Sequence, residues 1–151
     1  NLIVWQSAVD GARGLGNAAM LSFLAAMIVT AFDLGADPYM VYTLKAWIMT
    51  KTDGAWFGET VQGFFGWVFV SFVIIFGFRM SVRKQALQPS SPFLRHHALV
   101  PLALYGSNMV FQMILGNPVE IRSIAPFAMG IPLLCALAGY QRWAAPAKAS
   151  V

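Results

Sequence analysis

Four apolar stretches separated by polar connections dominate the chain. A helix needs roughly 20 mostly apolar residues to cross a bilayer, with about 17 as the lower limit. The second stretch is the shortest, but it ends at Arg79, whose long side chain can reach the interface. We predict an all-α polytopic transmembrane helix bundle of about four spans, forming a single integral membrane domain over residues 1–151. The spans cover residues 16–34, 63–78, 98–115 and 124–140.

The connection between the first two stretches has a pattern of its own. Within residues 36–60, apolar side chains recur at helical spacing, and lysines fall between and after them. This pattern is typical of an amphipathic helix that lies in the membrane interface. We therefore predict an interfacial amphipathic helix between spans 1 and 2. Its apolar positions are Met40, Val41, Leu44, Trp47 and Ile48, and its lysines are Lys45 and Lys51.

The fourth stretch contains a proline well inside it. Pro132 has no backbone N–H, so it removes one helical hydrogen bond, and we expect a kink there. Cys135, deep in the same stretch, is expected to be a small apolar packing residue.

The composition excludes several classes of protein. Hydrophobic residues make up 58 % of the chain, charged residues 11 %, and the mean hydropathy is +0.65. Soluble domains have about 45–50 % apolar and about 25 % charged residues. A soluble enzyme and a disordered chain are therefore excluded, and the single cysteine excludes a disulfide scaffold. The lipid bilayer is the expected partner, and nucleic acid is not.

The net charge of +4 informs topology, because the basic residues are unevenly placed. If the segment with Arg13 is cytoplasmic, seven of the ten Lys and Arg residues fall on that side and three on the other. Such a bias favours an even number of spans with both termini in the cytoplasm. The seven are Arg13, Arg79, Arg83, Lys84, Arg95, Arg142 and Lys148; the three are Lys45, Lys51 and Arg122.

Two acids at the end of the first stretch are the best candidates for chemistry. Asp33 is an ionisable group inside or at the rim of an apolar span, where such groups are usually functional or paired. Asp37 lies four residues on and shares its face if the helix continues. Two close acids in an apolar site do not both ionise readily, and a retained proton can be donated to an alkene. Alternatively, Asp37 caps a following helix and Asp33 pairs with a lysine such as Lys45.

Aromatic residues follow the acid pair, and their faces can stabilise a cation. An interfacial belt combined with helix packing is the alternative interpretation. The candidate binding residues are Tyr39, Trp47, Trp56, Phe64 and Trp67.

The third stretch carries a polar stripe of Ser107, Asn108 and Gln112, which either joins helices by hydrogen bonds or lines a cavity. His96 and His97 at its edge are expected to be solvated. The sequence has no metal-ligand cluster, phosphate loop or nucleophile elbow, so no metal or cofactor is predicted.

These residues also resemble a known family. The chain contains TAFDLGADP at 30–38, then Trp47, WFG at 56–58 and FFGW at 64–67. The pattern is similar to the integral-membrane carotenoid hydratases of the gamma-carotene and bisanhydrobacterioruberin hydratase type, most densely over residues 15–78. The resemblance implies a carotenoid or other long isoprenoid as ligand and a bacterial inner membrane, cytoplasmic or photosynthetic. It also implies addition of water to the terminal double bond of an acyclic carotenoid, with Asp33 or Asp37 as acid and no required cofactor.

The sequence departs from the family pattern at two positions. Thr60 stands where the family usually has proline, and Gly63 where it usually has asparagine. The resemblance therefore implies a polyene pocket more directly than it implies turnover. The alternative is a non-catalytic accessory subunit of a bacterial reaction-centre or light-harvesting complex, associated with pigment or carotenoid. Gly63 and the lipid-facing aromatic surface of the second span favour that alternative.

Overall fold

The structure, a computed structural model, describes residues 14–50, 54–84 and 91–144. Within these ranges the chain forms helices and turns with one isolated β-bridge, and the predicted all-α class is confirmed. The helices are α1 (Leu15–Tyr42), α2 (Val61–Val82), α3 (Pro92–Leu115), α4 (Glu120–Ala128) and α5 (Gly130–Ala144).

Four helical segments are long and apolar enough to cross a membrane, which confirms the predicted number of spans. They are α1, α2, α3 and the pair α4–α5. The first is longer than predicted, because α1 continues past residue 34 and ends at Tyr42. Asp37 and Pro38 therefore lie inside the helix and not in the connection that follows it.

The fourth span is interrupted, as the position of Pro132 predicts. Pro132 has no N–H to donate to the carbonyl of Ala128, four residues earlier. The helix breaks beside that carbonyl, at Met129, which separates α4 from α5. Cys135 lies exposed on α5, so the prediction that it packs in the interior is wrong.

The predicted interfacial amphipathic helix between spans 1 and 2 is also wrong for the described residues. Residues 43–50 contain no helix, and residues 51–53 lie outside the described ranges. Met40 and Val41 belong to the last turns of α1. Lys45 has a φ of 52°, a left-handed conformation that an α-helix does not contain. The apolar residues that suggested one amphipathic helix belong in part to the end of α1 and in part to the loop that follows it.

A stripe of small residues lines one face of α1. Ala18, Ser22, Ala26 and Thr30 recur every four residues and are all buried. Small side chains let neighbouring helices approach closely in a membrane, and α1 packs most extensively against α2. The two hydroxyl groups bond within their own helix, Ser22 Oγ to the Ala18 carbonyl (2.7 Å) and Thr30 Oγ1 to the Ala26 carbonyl (3.1 Å).

The two ends of the bundle differ in charge. The C-terminal ends of α1 and α3 and the N-terminal ends of α2 and α4 meet at one end, which we call the acidic end. It carries the four carboxylates of the described residues: Asp33, Asp37, Glu59 and Glu120. The opposite end, the basic end, carries five of the seven described Lys and Arg residues: Arg79, Arg83, Lys84, Arg95 and Arg142.

Candidate functional site

Three carboxyl groups come together at the acidic end. Asp33 and Asp37 lie four residues apart on α1, so they share a face, and both are half-buried. Glu59, in the connection before α2, is close enough for its charge to act on both. Among the described residues neither aspartate pairs with Lys45, and α1 runs through Asp37, so that residue does not cap a following helix. The interpretation of Asp37 as a cap is therefore wrong, and so is the pairing of Asp33 with Lys45; Lys51, the other lysine of this connection, lies outside the described residues.

A tight turn places Glu59 beside α2. The Trp56 N–H donates to the Glu59 carbonyl (3.2 Å) and the Glu59 N–H to the Trp56 carbonyl (2.9 Å). Phe57 (φ 48°) and Gly58 (φ 93°) both have the positive φ that a type I′ turn requires. Thr60 then caps α2, its hydroxyl accepting from the Gly63 N–H (3.0 Å). Glu59 is thus fixed between a turn and a helix cap.

Gly63 leaves room for the Glu59 carboxylate. A Cβ atom at Gly63 would collide with that carboxylate, which therefore lies against the first turn of α2. The positive end of the helix dipole favours a negative charge there. Glu59 is a site residue that was not predicted from the sequence; its position between a glycine turn and a threonine cap was the only local signal for it.

Trp56 reaches α1 through a carbonyl that Pro38 has freed. In a regular helix the N–H of residue 38 donates to the carbonyl of Leu34, but proline has no N–H. The indole Nε1–H of Trp56 donates to that carbonyl instead, at 2.7 Å. Leu34 lies between the two aspartates in the sequence, so this bond joins Trp56 to the part of α1 that carries the acids.

Gly35 leaves room for the side chains of Gln112 on α3 and Ile121 on α4 to approach α1. A Cβ at this position would collide with the Gln112 side chain and would lie 2.9 Å from Cγ2 of Ile121. Gln112 is 3 % exposed, and its Nε2 donates to the Phe32 carbonyl of α1 (3.3 Å) and to Asn108 Oδ1 (3.4 Å). Two members of the predicted polar stripe therefore lie at the contact between α1 and α3.

A pocket of about 220 Å³ lies at this contact. Tyr39 meets Phe111 edge to face across it, with ring centroids 5.1 Å apart. Ala36 and Met40 also line it, and each lies three residues after one of the aspartates, so the pocket wall adjoins the acidic face of α1. The three carboxyl groups and Trp56 are not among the lining residues. Asn108 and Gln112 complete the lining with amide groups. Both alternatives for the polar stripe therefore apply to Gln112, which joins two helices and lines the cavity, whereas Asn108 only lines the cavity. Ser107 does neither, because its hydroxyl donates to the Leu104 carbonyl of its own helix.

The remaining predicted aromatic residues lie elsewhere. Trp47 is 44 % exposed in the segment after α1, and Trp67 is 48 % exposed on a shallow groove of α2. Phe64 is half-buried near the start of α2. The structure thus brings Trp56 to the acid-bearing part of α1 and Tyr39 to the adjoining pocket, but it does not gather all five residues around one point.

In the described ranges no group of three or more His, Cys, Asp or Glu side chains is arranged to hold a metal ion. His96 and His97 are exposed, and each ring bonds a carbonyl of its own helix, that of Pro92 (2.8 Å) and that of Phe93 (3.1 Å).

The fold defines an all-α integral membrane protein with a carboxyl cluster beside an aromatic pocket. Residues 6–137 match the family model described as carotenoid biosynthesis protein, and the chain belongs to this family. No curated protein and no solved structure matches the chain significantly.

Proposed function

We propose that the protein is a carotenoid hydratase, which adds water to the terminal double bond of an acyclic carotenoid. The observation that carries the proposal is the cluster of Asp33, Asp37 and Glu59, half-buried in an apolar bundle and without a basic partner among the described residues. Membership of a carotenoid biosynthesis family supports a polyene substrate. The resemblance to hydratases supports the reaction.

The reaction needs one acid and one base. A protonated carboxyl group, Asp33 or Asp37, donates its proton to the terminal double bond, whose electron pair forms the new C–H bond and leaves a tertiary cation. Water adds to the cation, and the partner carboxylate accepts the proton that water loses. One water is consumed and the pair keeps one proton in total, so the chemistry requires no redox cofactor.

Trp56 is the best-placed aromatic residue for stabilising the cation. Its indole N–H is bonded to the Leu34 carbonyl between the two aspartates, and its ring is held by an edge-to-face contact with Phe57 at 4.8 Å. An aromatic face near a cation contributes about 0.5–2 kcal/mol, more where water is excluded. Trp47 and Trp67 are assigned no such part, because both are nearly half exposed and, within the described residues, no hydrogen bond joins either of them to the part of α1 that carries the acids.

The pocket beside the acids is suited to the end of the substrate and not to its whole length. A cavity of about 150 Å³ holds benzene, so about 220 Å³ accommodates roughly nine carbons. That is close to two isoprene units. The rest of the polyene would extend along the apolar outer surface of the bundle into the lipid.

The test is turnover in water enriched in oxygen-18. Purified protein in mild detergent is incubated with an acyclic carotene, and the product is identified by mass spectrometry. Hydration predicts a hydroxylated product carrying the heavy oxygen. Asp33→Asn and Asp37→Asn are each expected to lower the rate by about 10²-fold or more, the usual contribution of a general acid or base.

Glu120→Gln is the matched control, because Glu120 is an exposed acid at the same end, in the first turn of α4. It should retain the wild-type rate. Full turnover by both asparagine variants, or a hydroxyl group that does not come from water, would refute the proposal. Absence of product together with stable co-purification of pigment-bearing partners would instead favour the accessory subunit.

We also propose that the basic end faces the cytoplasm of a bacterial inner membrane, so that both termini are cytoplasmic. The excess of Lys and Arg at this end supports the orientation. Cysteines introduced at Ser81 and at Thr43, which are exposed at the two ends, should react with a membrane-impermeant thiol reagent from opposite sides in a Cys135→Ala background.

A further inference from the structure

A second apolar cavity lies far from the acids, between α1 and α5. It is a groove of about 360 Å³ that runs towards the basic end. The groove contributes nothing to the proposed reaction, since its lining residues on α1 end at Ile28, more than a helical turn before Asp33, and none of them lines the pocket beside Tyr39. Its lining includes Leu21, Leu24 and Ile28 from α1 and Pro132, Cys135 and Arg142 from α5.

The groove lies where α1 has little contact with the last helix. α1 packs against α4, whereas its contact with α5 is slight. α4 and α5 are separated at Met129, and Pro132 lies in the first turn of α5. The side chains that α5 presents to the gap are small, among them Ala136 and Gly139, and they do not fill it.

The groove has the chemistry of a lipid site. Its lining is apolar except at one end, where Arg142 lies. By the benzene comparison, about 360 Å³ accommodates roughly fourteen carbons, close to an acyl chain. The Arg142 side chain is exposed and makes no hydrogen bond or ion pair with the rest of the described chain. A guanidinium group can bind phosphate oxygens in a bidentate manner.

The surrounding charge favours an anionic lipid over a neutral one. Of the carboxylates in the described ranges none lies at the basic end, where Arg83 and Lys84 are exposed in addition to Arg142. Basic pockets between transmembrane helices on the cytoplasmic side bind anionic headgroups. We propose that this groove binds one acyl chain of an anionic phospholipid, whose phosphate is held by Arg142.

Cys135 makes the test direct, because it is the chain's single cysteine and it is exposed in the groove. The probe is the rate at which a small apolar maleimide modifies this thiol. The full chain is reconstituted into phosphatidylcholine vesicles, with or without phosphatidylglycerol of the same acyl length. Phosphatidylglycerol should slow the modification about fivefold, the factor expected for one arginine near an anionic surface.

Arg142→Gln should abolish this protection, and Arg142→Lys should restore part of it. Arg122→Gln is the matched control, because it removes one exposed arginine at the acidic end and should leave the protection unchanged. The variants experience the same vesicle surface, so any general effect of the surface on thiol reactivity cancels. Native mass spectrometry of the detergent-purified chain should show phosphatidylglycerol retained by the wild type and lost in Arg142→Gln.

Four results would overturn the proposal. Equal rates in the two kinds of vesicle would show that the groove does not select an anionic lipid. Protection that persists in Arg142→Gln would show that the arginine does not hold the headgroup. Equal protection in detergent by inorganic phosphate alone, or stronger protection by a polyprenyl diphosphate, would assign the site to a different ligand.

Discussion

The acidic and basic ends of the bundle are built on different principles. At the acidic end the polar groups are fixed by specific bonds, such as that from Trp56 to the Leu34 carbonyl and that from Gln112 to the Phe32 carbonyl. At the basic end three of the five basic side chains are exposed, and the cavity is an open groove. Fixed geometry suits chemistry, which requires reacting groups to be positioned. Exposed positive charge suits attraction to lipid headgroups, which requires far less positioning.

The difference predicts that close packing matters far more at the acidic end. Glycine-to-valine changes at Gly35, at the acidic end, and at Gly77, towards the basic end, test this prediction. Both glycines lie inside helices, so the two changes are comparable. Gly35→Val forces a side chain into Gln112 and Ile121 and is expected to lower the free energy of unfolding by about 3 kcal/mol, the upper part of the usual overpacking range. Gly77, in the basic half of α2, has nothing within 4 Å of its would-be Cβ.

Gly77→Val should therefore change stability by only a few tenths of a kcal/mol, the difference in helix propensity between the two residues. Denaturation of each variant in mild detergent, followed by circular dichroism, measures both effects. Equal losses for the two substitutions would show that the close approach of Gln112 and Ile121 to Gly35 does not distinguish the acidic end.

A second prediction concerns the freed carbonyl of Leu34. Trp56→Phe leaves that carbonyl without its donor and should cost about 2 kcal/mol, within the usual range for a buried polar group that loses its partner. In a Pro38→Ala background the alanine N–H can bond the same carbonyl, so the cost of Trp56→Phe should fall below about 1 kcal/mol. The four chains form a double-mutant cycle. A coupling energy near zero would show that the proline and the tryptophan act independently.

The four spans and the course of α1 show where inference from the sequence succeeds and where it fails. The four spans were predictable because the thickness of the bilayer sets the length of an apolar helix. The continuation of α1 through Asp33, Asp37 and Pro38 was not predictable, since polar residues and a proline usually mark a helix end. In the folded chain Trp56, distant in sequence, takes over the hydrogen bond that Pro38 removes.

The residues of the candidate site also differ in how far they could be predicted from the sequence. Asp33 and Asp37 stand out because ionisable residues are rare in apolar segments. Glu59 does not stand out, because its placement depends on a turn in which a non-glycine residue, Phe57, adopts a positive φ. Distance along the sequence did not indicate which tryptophan lies beside the acids in the structure. Trp56 was distinguished from Trp47 only by the tertiary hydrogen bond.

A third prediction compares the helix caps at the two ends. Thr60 caps α2 at the acidic end and Ser91 caps α3 at the basic end, each accepting a hydrogen bond from the third residue after it (3.0 and 3.2 Å). Replacing either by alanine should cost about 1 kcal/mol of stability. Only Thr60→Ala should also slow carotene hydration, because Thr60 positions Glu59 beside the aspartates. Equal activity of the two variants would show that the turn and cap at residues 56–60 do not shape the site.

The smallest expected effect concerns the interhelical bond of Gln112. Gln112→Leu removes the donor to the Phe32 carbonyl and to Asn108. The Phe32 carbonyl still accepts the backbone N–H of Ala36 in α1, so it keeps a hydrogen-bond donor. The free energy of unfolding should therefore fall by about 0.6 kcal/mol, the average for side-chain bonds between membrane helices. Ser107→Ala is the control, because that exposed hydroxyl bonds only the Leu104 carbonyl of its own helix and should change stability less. Ligand binding in the pocket should change more than stability does. Loss of the Gln112 amide from the pocket wall is expected to weaken binding of a hydroxylated end group while leaving that of the hydrocarbon unchanged. Equal weakening for the two ligands, measured by quenching of tryptophan fluorescence, would mean that Gln112 serves only to pack α3 against α1.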